Sequence, residues 1–141
     1  MKKLILITAL LLIGMVSMAQ NYIGRTLNSV KVELDKKGIA YEGYVNTRGS
    51  YSISFTNDDE TESRIYVFNF ADKCDSYIIK FTDADMAFNY GRQFTNLGFT
   101  KVKKSEAGIM WELKKGNIKA SCIYSEEDYE YSIIVYEIGS L

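Results

Sequence analysis

Two amphipathic stretches sixty residues apart end in the same way, with a glycine followed at once by a large hydrophobe that leads into alternating sequence. In the first, Ile23, Leu27, Val30 and Leu34 fall at i, i+4, i+7 and i+11, one face of a helix. Gly38 then supplies a residue free to take the left-handed conformation that closes helices, and Ile39 follows it. In the second, Met86, Tyr90, Phe94 and Leu97 form the stripe with Ala87 beside them, and Gly98 and Phe99 repeat the ending. Thr82, with Asp85 three residues on, reads as the opening capping box of that helix. Val30 and Leu34 superpose on Tyr90 and Phe94 at this shift, and Tyr51 and Ile53 on Trp111 and Leu113.

Period-two alternation takes over after each glycine. Ile39, Tyr41 and Val45 share one face of a first strand, and Asn46-Thr47-Arg48-Gly49 is a turn. Tyr51, Ile53 and Phe55 alternate with Ser52, Ser54 and Thr56, the pattern of a half-buried strand. Residues 65–70 and 77–81 give two more β-rich runs. The second half offers runs at 100–103, 109–114, 118–124 and 129–138, separated by short polar or glycine-bearing turns. Each half therefore reads as a helix followed by four strands, with pseudo-repeats at about 22–81 and 82–141. Such short turns demand antiparallel neighbours. Two helices are too few to cover both faces of eight strands, so both are expected on one face, leaving the other uncovered. The expected fold class is α+β: two tandem α-β4 units forming an antiparallel sheet with the helices packed on one side.

That element order resembles the layout of the β-lactamase inhibitor protein group of secreted bacterial proteins. The resemblance covers residues 20–141 as element order alone, and no functional residue is carried over from it. What it implies is a sheet face able to hold another protein.

The beginning of the chain has the three parts of a secretory leader: Lys2 and Lys3, an apolar run over 4–16, and Ser17-Met18-Ala19 before Gln20. The apolar run is shorter than the ~20 residues that span a bilayer comfortably. Cleavage after Ala19 is expected, making 1–19 a signal peptide and 20–141 a single exported domain, periplasmic or secreted. The leader carries two of the 17 basic residues and none of the 18 acidic ones, so the mature charge is −3. A balance so close to neutral argues against nucleic acid and anionic membrane surfaces as partners.

The chain has no histidine, the usual partner of a serine or cysteine nucleophile and a common zinc ligand, and no proline to stiffen a linker. Cys74 and Cys122 would enter an oxidising compartment, where they become either a disulfide worth about 3–5 kcal/mol or a pair of buried thiols. The acidic clusters at Asp58-Asp59-Glu60 and Glu126-Glu127-Asp128 lack calcium-loop spacing and occupy turns, so neither a metal nor another cofactor is expected.

Eleven tyrosines, seven phenylalanines and Trp111 are the compositional oddity. Tyrosine serves β-cores and strands as readily as binding surfaces. In Ile65-Tyr66-Val67-Phe68 and Ile133-Ile134-Val135-Tyr136, one face can take the aliphatic residues while the other presents rings. Tyr44, Tyr66, Phe68, Tyr124 and Tyr136 are the candidate partner-binding residues on that basis. The function expected is a non-catalytic binding or inhibitory module recognising a protein through an aromatic-rich sheet face. The alternatives are an envelope protein that homodimerises through the same face, or a minor hydrolase built from carboxylates.

Overall fold

The computed structural model describes residues 22–57, 60–103 and 108–139. The leader at 1–19, Asp58, Asp59 and residues 104–107 lie outside the described residues. Ten elements follow in order: α1 (Leu27–Lys36), β1 (Glu42–Val45), β2 (Tyr51–Thr56), β3 (Glu62–Phe68), β4 (Cys74–Phe81), α2 (Ala84–Asn96), β5 (Thr100–Lys101), β6 (Ile109–Lys115), β7 (Ile118–Ser125) and β8 (Glu130–Glu137). The strands form one antiparallel sheet in the order β1-β2-β3-β4-β8-β7-β6-β5. The last strand of each half therefore meets the other at the centre, where Ile78 faces Ile134.

The two helix endings are the same hydrogen-bonded motif. Gly38 N–H donates to the Asp35 carbonyl and Ile39 N–H to the Leu34 carbonyl, both at 3.0 Å. Sixty residues later Gly98 N–H donates to Thr95 at 3.0 Å and Phe99 N–H to Phe94 at 3.1 Å. Both glycines have positive φ, +66° and +90°. This is the Schellman arrangement with its accompanying apolar contact, here the Phe94 and Phe99 rings 5.0 Å apart.

The helix starts differ from the sequence expectation. α1 begins at Leu27, capped by the Thr26 hydroxyl, not at Ile23. The residues before it pair with the start of β4 instead: Gly24 N–H donates to the Cys74 carbonyl and Cys74 N–H to the Arg25 carbonyl. Strand-like pairing has taken the turn that helical spacing would have claimed. In α2 the cap is Asp83, whose carboxylate accepts from Asp85 N–H at 2.8 Å, rather than Thr82.

Residues opposite one another across a ladder project to the same side, so the register defines two faces. Ile53, Tyr66, Tyr77, Val135, Ala120 and Leu113 form one continuous row beneath the helices, and all are buried. Val30 and Leu34 of α1 and Ala87 and Phe94 of α2 close this side. The core between is largely aromatic. Tyr66 lies 4.5 Å from Tyr22 and 5.7 Å from Tyr77 by ring centroids, and Phe81 stacks on Tyr131 at 5.8 Å. Gly91 lets the Trp111 indole lie against α2, where its Nε1 donates to the Ala87 carbonyl at 3.0 Å; a Cβ there would meet the ring at 3.3 Å.

Candidate functional site

Among the described residues no helix lies over the other face of the sheet. Its central row runs Ser54, Ile65, Ile78, Ile134, Ser121 and Glu112 from β2 to β6. A flanking row carries Ser52, Val67, Ser76, Tyr136 and Lys119. Ile65, Val67, Ile78 and Ile134 are each half-buried, shielded by strand neighbours along the sheet but uncovered by any described element. The surrounding serines are short, so the isoleucines form a low ridge on this face.

Polar side chains pair at the margins. Glu112, only 4% exposed, accepts from Lys119 Nζ at 3.0 Å and from the Ser121 hydroxyl at 3.3 Å. The same ammonium stands 6.0 Å from the Tyr136 ring centroid, and its pKa is raised chiefly by the hydrogen bond to Glu112. Lys80 pairs with Glu130 at 3.1 Å, and the Tyr44 hydroxyl donates to Ser54 Oγ at 2.8 Å. Two opposed charge pairs therefore flank an apolar centre, with Lys114 beside Lys119 and Glu42 beside Ser54 on the same face.

Of the five aromatic candidates, the structure brings two to this face: Tyr44, 47% exposed, and half-buried Tyr136. Tyr66 and Phe68 are on the helix side, 1% and 0% exposed, so the expectation that they form an exposed face is corrected. The separation of rings from aliphatics in β3 is present, but in the opposite sense. The rings face inward, where Tyr22 packs on Tyr66; Ile65 and Val67 are turned outward. Tyr124 also projects to the helix side, at its periphery, with its ring 4.7 Å from Tyr131. The residues missed by sequence reasoning are Ile65, Ile78 and Ile134. Their signal was the aliphatic half of those same alternating runs.

Cys74 and Cys122 are buried and unbonded, so the disulfide alternative is not the one adopted. Cys122 is in register with Ile133 and, across β8, with Ile79. Cys74 lies five residues further along β4, which places the two roughly 15 Å apart along the strands and about 10 Å across them. A disulfide tolerates Cα separations only up to about 7 Å. Burial pushes both thiols up to about 12, Cys74 with help from Asp75.

A second feature lies on the helix side. A cavity of about 460 Å³ opens between the end of α1 and strands β2 and β3, walled by Tyr22, Leu34, Ile39, Phe55 and Tyr66, with Arg64 and Glu62 among its polar residues. Arg64, 8% exposed, donates from Nε to Glu62 at 2.6 Å and from Nη2 to the Tyr90 hydroxyl at 3.3 Å. Tyr90 in turn donates to Glu62 at 2.8 Å. Burial alone would weaken the guanidinium's hold on its proton. The Tyr66, Tyr90 and Glu62 oxygens around it more than offset that, and its pKa is raised.

Among the described residues no three of Cys, Asp and Glu converge as metal ligands, and no helix is long and apolar enough to cross a membrane. Comparison with known proteins finds no matching family model, no matching curated protein and no matching solved structure.

Proposed function

We propose that this is an exported, non-catalytic binding or inhibitory protein that recognises another protein through the uncovered face of its sheet. One observation carries the reading: the Ile65–Ile78–Ile134 row lies at the centre of a broad sheet face with no described element over it. The six longer strands, at about 4.8 Å spacing and about 3.3 Å rise, give that surface a footprint of roughly 650 Å². Each partner in a standard protein interface contributes roughly 600–1,000 Å². An apolar centre ringed by polar groups is the usual anatomy of such an interface. The partner chemistry that fits is an apolar surface bearing both charge signs at its margin, to meet the Lys119–Glu112 and Lys80–Glu130 pairs. Export rests on the leader at 1–19, and the element order shared with the β-lactamase inhibitor protein group points the same way.

The test is affinity for a protein captured on the wild-type chain from envelope extract, then purified and titrated back. Ile78→Lys plus Ile134→Lys is expected to weaken that affinity at least tenfold while thermal unfolding stays cooperative. Tyr66→Phe, which changes the core only, is expected to leave it unaltered. Undiminished affinity in the double lysine variant would overturn the reading. Sedimentation showing concentration-dependent dimers abolished by the same variant would replace it with self-association.

A further inference from the structure

We propose that the β1 edge of the sheet pairs antiparallel with the β1 edge of a second copy of this chain, about a two-fold axis at Tyr44. The site is the rim of the sheet and does not rest on the docking face. β1 ends the strand order, and every one of its residues is exposed. Sheet edges are ordinarily blunted by lysine, proline, a bulge or extreme shortness. The opposite edge follows that rule: β5 is two residues long and carries Lys101, with Lys103 beyond it. β1 is longer, has neither lysine nor proline, keeps an unshifted register with β2, and bears Tyr44 and Val45, 47% and 65% exposed.

The hairpin decides which backbone groups are free. Asn46 N–H donates to the Ser50 carbonyl at 2.9 Å, so these two residues form a hydrogen-bonded pair. Bonded and non-bonded pairs alternate along an antiparallel ladder. Tyr44–Ser52 and Glu42–Ser54 are therefore bonded pairs, while Val45–Tyr51 and Gly43–Ile53 are not. The N–H and C=O groups of Gly43 and Val45 consequently point away from β2, and among the described residues no strand lies beyond them.

A second β1 strand supplies the missing partners when Tyr44 lies opposite Tyr44. Gly43 then exchanges both hydrogen bonds with Val45 of the second copy, Val45 does the same with its Gly43, and every outward group is satisfied. The side chains favour a second copy over an arbitrary peptide. Val45 faces a glycine, which leaves it room. The two Tyr44 side chains meet at a non-bonded pair, where Cα atoms approach to about 4.5 Å. Glu42, the strand's one charge, faces uncharged Asn46, so no like charges are opposed. Opposite residues share a face, so this two-fold keeps the helices of both copies on one side and continues the uncovered face from one copy to the next. A contact this short falls in the size class of weak, reversible association.

The test combines oxidative crosslinking with amide hydrogen exchange on the purified protein. Tyr44→Cys is expected to form an intermolecular disulfide with copper phenanthroline, because the opposed Cα atoms fall within the roughly 4.4–6.8 Å that a disulfide spans. Glu42→Cys, displaced along the strand from its own copy, is expected to crosslink at least tenfold more slowly. Cys74 and Cys122 are buried and do not compete. In the wild type, exchange at the Gly43 and Val45 amides is expected to slow at least tenfold as protein concentration rises, with Tyr44 protected throughout. Val45→Pro removes an outward N–H without touching the β1–β2 ladder and is expected to abolish that slowing. Tyr44→Lys, which opposes two ammonium groups, serves if the proline variant loses its dispersed spectrum. Equal crosslinking at 42 and 44, exchange at Gly43 and Val45 that does not change with concentration, or dimers lost in Ile78→Lys plus Ile134→Lys but kept in Val45→Pro would each overturn the proposal.

Discussion

Two tyrosines that feel the charge of the same arginine make opposite statements about stability. The Tyr77 hydroxyl is fully buried and has no hydrogen-bond partner among the described residues, whereas Tyr90 links Glu62 and Arg64. An orphaned buried hydroxyl costs about 1–3 kcal/mol, while one that bridges a buried ion pair is costly to remove. Tyr77→Phe is therefore expected to stabilise the protein by about 1 kcal/mol and Tyr90→Phe to destabilise it by about 1–3 kcal/mol, read from urea midpoints. The same midpoint shift in both would mean that the hydroxyl contacts do not govern this core.

Glu33 adds a pH signature. Its hydrogen bond to Lys37, with a further one from Arg25, overrides partial desolvation and holds its pKa down at about 2, against an ordinary value of 4.5. A depressed carboxylate contributes stability above the unfolded-state value and loses it as pH falls through the folded one. Wild type should lose its advantage over Glu33→Gln between about pH 4.5 and pH 2, followed by chemical denaturation at stepped pH. A constant difference across that window would contradict the assignment. The thiols make a plainer case. A maleimide should label neither Cys74 nor Cys122 in the native protein, and both after denaturation without reductant.

At the level of elements, three asparagines close the hairpins of the first half. The Asn46 side-chain carbonyl accepts from Arg48 and Ser50 N–H, that of Asn69 from Ala71 and Lys73 N–H, and that of Asn57 from Glu62 N–H. Asn69→Ala is expected to cost about 1 kcal/mol, because water replaces part of what two exposed hydrogen bonds supply. Thermal unfolding unchanged by that substitution would place the hairpin's specification elsewhere.

The Asn46 turn, both glycine-ended helices and all eight strands were legible in the sequence, because alternation and turn chemistry are local; Asn69 was not, since it fell inside the 65–70 run read as strand. What was not legible depended on depth. Alternation in Ile65-Tyr66-Val67-Phe68 says that two residues face each way, but not which way is inward. In the fold the inward side is the one where Tyr22, distant in sequence, packs on Tyr66. The start of α1 was hidden for a related reason, since Gly24 and Arg25 are drawn into pairing with Cys74 across the chain. The candidate docking face was accordingly legible as a location and misread in its residues, aliphatic at the centre where rings were expected.

For the molecule as a whole, the aromatic surplus is spent inside. Most of the tyrosines, phenylalanines and Trp111 fill the layer between helices and sheet, whereas the centre of the opposite side is isoleucine, valine and serine, with Tyr44 and Tyr136 towards its edges. Gly91→Ala probes the first half of that statement, since a methyl group would press on the Trp111 indole. It is expected to destabilise by about 1–3 kcal/mol despite alanine's better helix propensity, as overpacking does. The second half is tested most directly by placing a photocrosslinking amino acid at position 134, with position 88 on the exposed side of α2 as control, and irradiating each chain with its purified protein partner. Crosslinking to the partner from 134 and not from 88 is the result this account predicts. Crosslinking from 88 alone would contradict it.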